Sequence, residues 1–136
     1  MKILYWGTIF LALLIIIPST LMVDVESDAG PTPPPPIVFS APPTVIVLPG
    51  TNIYVVPTIP EEIFFKGGWW WRQWQNRWFR SKFYDRGWVF YKGYPVWYRE
   101  VPPNWRENYA NHTWQGQIWH YQHIPHEELY QAKRKR

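Results

Sequence analysis

Residues 66–99 hold seven tryptophans, four tyrosines, three phenylalanines and eight Lys or Arg side chains against a single acid, Asp85. Aromatic faces attract cations and stack on flat ligands, while guanidinium and ammonium groups contact phosphate, sulfate or carboxylate oxygens. A surface of this composition has the chemistry to hold a glycan or an anionic polymer. The residues that carry the expectation are Trp69, Trp71, Trp74 and Trp78 as stacking platforms, with Arg72, Arg77 and Arg80 as anion contacts. The same residues could instead serve as core, because each buried indole hides ~150–250 Å² and tryptophans can substitute for a larger interior. Ten tryptophans follow Gly30, more than one small core is expected to conceal, and that surplus points to exposed rings.

Other chemistries have less behind them. His120, His123 and His126 recur every third residue, a spacing that would bring them near one face of a continuous helix, but Pro125 interrupts it and there is no cysteine to complete a familiar metal site. Glu61 and Glu62 are adjacent, so on an extended chain they point to opposite sides and cannot flank one glycosidic bond. The four serines stand in no Gly-x-Ser-x-Gly elbow, and no glycine-rich phosphate loop is present. Asn111-His112-Thr113 fits the N-glycosylation pattern, a short match that is common by chance. The expectation is a protein that binds rather than catalyses, without metal or cofactor.

The elements that must position the aromatic block read as strands. Thr44-Val45-Ile46-Val47-Leu48 and Ile53-Tyr54-Val55-Val56 are β-branched and apolar, and Pro49-Gly50 between them suits a type II turn. The first of the two is apolar at every position, which predicts cover on both faces. A second series runs from Ile63-Phe64-Phe65, turns at Gly67-Gly68, continues over residues 69–74, turns at Gln75-Asn76, runs over residues 77–84, turns at Asp85-Arg86-Gly87 and resumes over residues 88–91. Such spacing of turns predicts an antiparallel meander. A two-residue turn at Gln75-Asn76 sets Trp74 opposite Arg77, Gln73 opposite Trp78, Trp71 opposite Arg80 and Trp69 opposite Lys82. Trp105 and Tyr109, four residues apart, would share one face of a short helix. A further helix is predicted from Pro125, with Glu127 and Glu128 in its first turn and the basic residues 133–136 at its end.

The N-terminus supplies the address. Lys2 precedes an uncharged run over residues 3–23, the layout of a secretory signal peptide, and Ser27-Asp28-Ala29 offers small residues before a cut ahead of Gly30. The same run is long enough, against the roughly 20 residues a bilayer requires, to stay as an uncleaved anchor. Either way the rest of the chain lies outside the cytoplasmic membrane. From Gly30 onward there are 13 Lys or Arg and 7 Asp or Glu, an excess of six positive charges that favours anionic partners. With no cysteine, stability must come from packing.

The sequence thus divides into residues 1–29, signal peptide or membrane anchor; residues 30–43, an extended spacer with seven prolines; and residues 44–136, a mostly β, aromatic-rich domain with a C-terminal helix. The succession PPPPIVFSAPP, TVIVLPGTNIYVVP, IFFKGGWWWRQWQNRWFRSKFYDRGWVFYKG, VPPNWRENY and IPHEEL resembles uncharacterised Trp/Tyr/Arg-rich exported proteins of Gram-negative bacteria, over about three quarters of the chain. That resemblance implies export and a small aromatic-rich domain, and no activity. The expected partners are an envelope polysaccharide or other polyanion, with a membrane through residues 3–23. Nucleic acid, which would suit the same surface, is not expected in an exported location.

Overall fold

A computed structural model describes residues 30–131; the proposed signal or anchor and the basic residues 133–136 fall outside the described residues. Within them the chain is mostly β, as expected. Strands β1 (Thr44–Val47), β2 (Tyr54–Val55), β3 (Ile63–Lys66), β4 (Trp69–Trp74), β5 (Arg77–Ser81) and β6 (Val89–Tyr91) form an antiparallel meander. After a 3₁₀ helix (Val96–Glu100) and helix α1 (Trp105–Asn111), strands β7 (Thr113–Trp114) and β8 (Gln117–Ile118) make a separate hairpin. Strand β9 (Ile124–Pro125) then returns to pair with β1, and helix α2 (Glu128–Gln131) closes the described chain. The main sheet has seven strands in the order β6-β5-β4-β3-β2-β1-β9.

Turn chemistry sets the register. At the β1–β2 connection the Thr51 amide donates to the Leu48 carbonyl at 3.1 Å, and Gly50 takes the positive φ of 73° that a type II turn demands. Lys66 faces Trp69 across Gly67-Gly68, with φ of 63° and 83°. Trp74 faces Arg77 across Gln75 and Asn76, which are both left-handed at 48° and 59°. Two successive positive φ values match the right-handed twist of a hairpin. The pairs Trp71 with Arg80, Gln73 with Trp78 and Trp74 with Arg77 therefore stand where a two-residue turn puts them.

Two sequence expectations need correcting. Strand β5 stops at Ser81 instead of running to Tyr84. The Ser81 hydroxyl accepts from the Phe83 amide at 3.0 Å and donates to the Arg86 carbonyl at 2.6 Å, so the side chain draws the backbone out of the ladder. The last helix begins at Glu128, not at Pro125, which pairs with Thr44 in β9. Proline suits a sheet's outer strand as well as a helix start, because it has no N–H to leave unpaired there.

The sheet is buried on both faces. Alternation sends Ile46, Val55, Phe64, Trp71 and Trp78 to one side, where Val101, Trp105 and Trp119 from the later elements cover them. Val45, Val56, Ile63, Phe65, Trp70 and Phe79 go to the other, joined by Ile37 and Trp88. Strand β1 is covered on both faces, as its unbroken apolar run requires: Val45 and Ile46 are each fully buried in different clusters. Trp105 and Tyr109 share the packed side of α1. On the second face the proline-rich stretch is docked. Pro34 and Ile37 are buried, the Ile37 amide donates to the Asp85 carbonyl at 2.8 Å, and Arg72 Nη1 donates to the Pro35 carbonyl at 2.8 Å.

Candidate functional site

The sheet's alternation divides the seven expected binding residues. Trp69, Trp71, Trp78 and Arg80 share the face packed by the 3₁₀ helix and α1, whereas Arg72, Trp74 and Arg77 lie on the opposite face. They do not form one surface. Burial divides them again: Trp71, Trp78 and Arg72 are only 6%, 3% and 5% exposed and present little side chain to solvent. Trp71 donates Nε1 to the Lys66 carbonyl at 3.0 Å, and Trp78 packs edge-on against Trp97 at 5.8 Å and Tyr98 at 4.8 Å. Of the ten tryptophans beyond Gly30, six are buried and four, Trp69, Trp74, Trp97 and Trp114, are half-buried. The interior hides far more indole than the composition led one to expect, because one sheet carries two aromatic layers.

Arg72 is a core cation. Its guanidinium lies 5.0 Å from the Trp74 ring and 6.0 Å from Trp88, besides its bond to the Pro35 carbonyl. Burial pushes its pKa below the ordinary guanidinium value, and the charge of Glu61 offsets part of that. On the first face, burial raises the Tyr98 phenol, with Glu62 and Tyr94 adding to the shift.

What remains accessible is a smaller constellation at the β3–β4 end of the first face. The half-buried Trp69 ring holds the Lys82 ammonium at 3.6 Å and the Arg80 guanidinium at 4.2 Å from its centroid, and Arg80 also lies 5.3 Å from Tyr91. Lys66, next to the same turn, bonds Asn52, and Lys82 Nζ reaches the Gly68 carbonyl at 3.3 Å. Among the described residues the ion pairs are Arg86 with Asp85 and Arg106 with Glu62, and His126 Nδ1 lies 3.3 Å from Glu127; none of these contacts engages Lys66, Arg80 or Lys82. These cations keep their capacity for an external anion. Since the Trp69 π-system already serves the chain's own cations, the ring positions charge rather than stacking on a sugar. Lys82 was outside the expected binding set, although the two-residue turn had already set it opposite Trp69.

The histidines are dispersed. His123 bridges Thr44 Oγ1 at 3.3 Å and the Tyr109 hydroxyl at 3.4 Å, His112 stacks on Tyr121 at 5.0 Å, and His126 packs edge-on against Tyr84 at 4.8 Å. Among the described residues no three His, Asp or Glu side chains draw together as metal ligands. Glu62 accepts from Arg106 Nε at 2.8 Å and from Trp105 Nε1 at 3.2 Å, a contact that ties α1 to the sheet. One depression, about 460 Å³, is lined by residues 38–44 with Thr58 and Ile59 and has no titratable side chain.

Among the described residues no helix is long and apolar enough to cross a membrane; the uncharged run lies outside them. No family model matches the chain, no characterised protein matches it in sequence, and no solved structure matches its fold.

Proposed function

We propose that this chain is an exported, non-catalytic protein of the cell envelope that binds an anionic polymer, an acidic glycan being the favoured class, through the surface built on Trp69, Arg80 and Lys82. The observation that carries the reading is the pair of cations held 3.6 and 4.2 Å from one half-buried indole with no carboxylate partner. Ordering the two side chains before a ligand arrives lowers the entropy cost of engaging two acidic groups. A uronic-acid polymer such as alginate tests it, with neutral dextran as comparison. Arg80→Ala with Lys82→Ala should abolish most retention on alginate, and retention should fall as salt rises. Arg77→Ala, on the other face, should leave it nearly unchanged. Equal retention of wild type and the double variant would sink the reading.

A second reading is a membrane-anchored structural protein of the envelope whose aromatics are core, and the burial of six tryptophans supports the core part of it. N-terminal sequencing of the exported form separates the two: a start at Gly30 removes the anchor, and an intact residue 2 keeps it.

A further inference from the structure

Strand β6 is an outer strand of the main sheet, and its margin holds five of the eight exposed large hydrophobic side chains among the described residues. Val89 is 64% exposed, Phe90 38%, Phe83 50%, Tyr94 54% and Val96 71%. They flank the free edge from both faces of the sheet, Val89 opposite Arg80 on the first face and Phe90 opposite Phe79 on the second. Phe90 packs edge-on against Phe79 at 5.9 Å, and Tyr94 against Trp78 at 6.1 Å and Tyr98 at 5.6 Å. Interleaved with them are Arg86, Lys92 and Arg99, while the one acid of the run, Asp85, is occupied by Arg86 at 2.9 Å. The margin therefore combines protruding aliphatic and aromatic side chains with two cations, Lys92 and Arg99, that form no ion pair among the described residues, although the exposed Glu100 adjoins Arg99.

The N-terminal end of the described chain arrives at the second-face side of this edge, beside Phe90. A methyl group built on Gly30 would come within 3.9 Å of Phe90 Cδ1. Residue 23 ends the uncharged run, and the seven Cα steps from there to Gly30 span at most about 25 Å. A chain whose uncharged run is retained in a bilayer thus keeps Gly30, and the Phe90 ring beside it, within about 25 Å of the membrane surface.

We infer that the β6 margin, with Phe83, Val89, Phe90, Tyr94 and Val96 as its apolar contacts and Lys92 and Arg99 as its cations, docks the domain onto an anionic lipid surface. This takes the membrane-retained form of the second reading as its premise and is independent of polyanion binding at Trp69. Lipid is the occupant the charges select. Aromatic and aliphatic side chains settle at the headgroup boundary, and lysine and arginine are drawn to anionic headgroups. A second copy pairing through β6 would bring like charges together, and a strand of three residues offers few backbone bonds to a peptide.

The absence of cysteine makes single-site labelling direct. Val89→Cys, Val96→Cys and, as control, Ile118→Cys change side chains that are 64%, 71% and 72% exposed, so none disturbs the core. The control lies on the β7–β8 hairpin, whose Gln115 turn sits beside Pro49 and Gly50. Full-length chain with an environment-sensitive dye at each site is reconstituted into vesicles containing phosphatidylglycerol. Dyes at residues 89 and 96 should be quenched by nitroxide-labelled lipid and shielded from iodide, with the reverse at residue 118. Lys92→Ala and Arg99→Ala should each reduce the docked population roughly fivefold. The inference is overturned if residues 89 and 96 are as open to iodide as residue 118, if phosphatidylcholine vesicles shield them equally, or if shielding appears in detergent without a bilayer. N-terminal sequencing tests the premise separately, so failure of retention and failure of docking are told apart.

Discussion

Ile37 and Val38 are neighbours in the proline-rich stretch, yet one is 7% exposed and the other 94%. Replacing each with alanine asks whether residues 34–37 are part of the folded domain. Ile37 belongs to the second-face core with Trp88 and Phe79, and removing three of its carbons both forfeits burial and leaves a cavity. The usual cost of Ile→Ala in a core is about 2–5 kcal/mol; at the margin of the cluster the low end applies, about 2 kcal/mol. The amide bond to Asp85 survives the change, so it does not add to the loss. For a domain near 100 residues that loss lowers Tm by roughly 8–16 °C. Val38→Ala should stay within about 0.5 kcal/mol, as a surface change does. Urea titration of the polypeptide from Gly30 onward, followed by tryptophan fluorescence, reads both. If the two variants unfold within about 0.5 kcal/mol of each other, the stretch is not packed on the sheet and the argument from its burial fails.

Two further outcomes follow from local geometry. Gln75 and Asn76 occupy left-handed backbone that favours Asn-Gly, so Gln75→Asn with Asn76→Gly should raise stability by roughly 1 kcal/mol in the same titration; a loss would refute the turn assignment. The Tyr98 phenol ionises less readily folded than unfolded, so the unfolded chain binds fewer protons above its ordinary value near 10 and stability must fall as pH rises through that region; Tyr98→Phe should flatten this alkaline slope, and an unchanged slope would remove Tyr98 as its source.

The hairpins were legible because their determinants are local. Pro49-Gly50, Gly67-Gly68 and Gln75-Asn76 specify turn type and length, and from these the pairing of Trp71 with Arg80 follows by counting. The end of β5 was less legible, because Ser81 leaves the ladder through its own hydroxyl in a run that otherwise has strand composition. Strand β9 was missed for a different reason: two residues, one of them proline, have no periodicity, and only the partner β1 makes them a strand. The candidate site suffered most. Whether Trp71, Trp78 and Arg72 meet water depends on the cover from Val101, Trp105 and Trp119 on one face and Ile37 and Trp88 on the other. Those residues lie far along the chain and share no repeat with the strands they cover, so nothing local announces them.

The seven-stranded order has a consequence for how the chain reaches its final shape. Lys66 meets Trp69 and Trp74 meets Arg77 almost as soon as they emerge from the ribosome, whereas Thr44 must wait for Pro125, 81 positions later. Closing short loops is fast and closing long ones is slow, so the central hairpins are expected to form first and the β1–β9 seam last. A polypeptide interrupted before residue 124 would keep its tryptophan centre but leave one border of β1 unzipped. The sheet's completion thereby waits for residues near the C-terminal end of the described chain, with no oxidative cross-link needed to lock it.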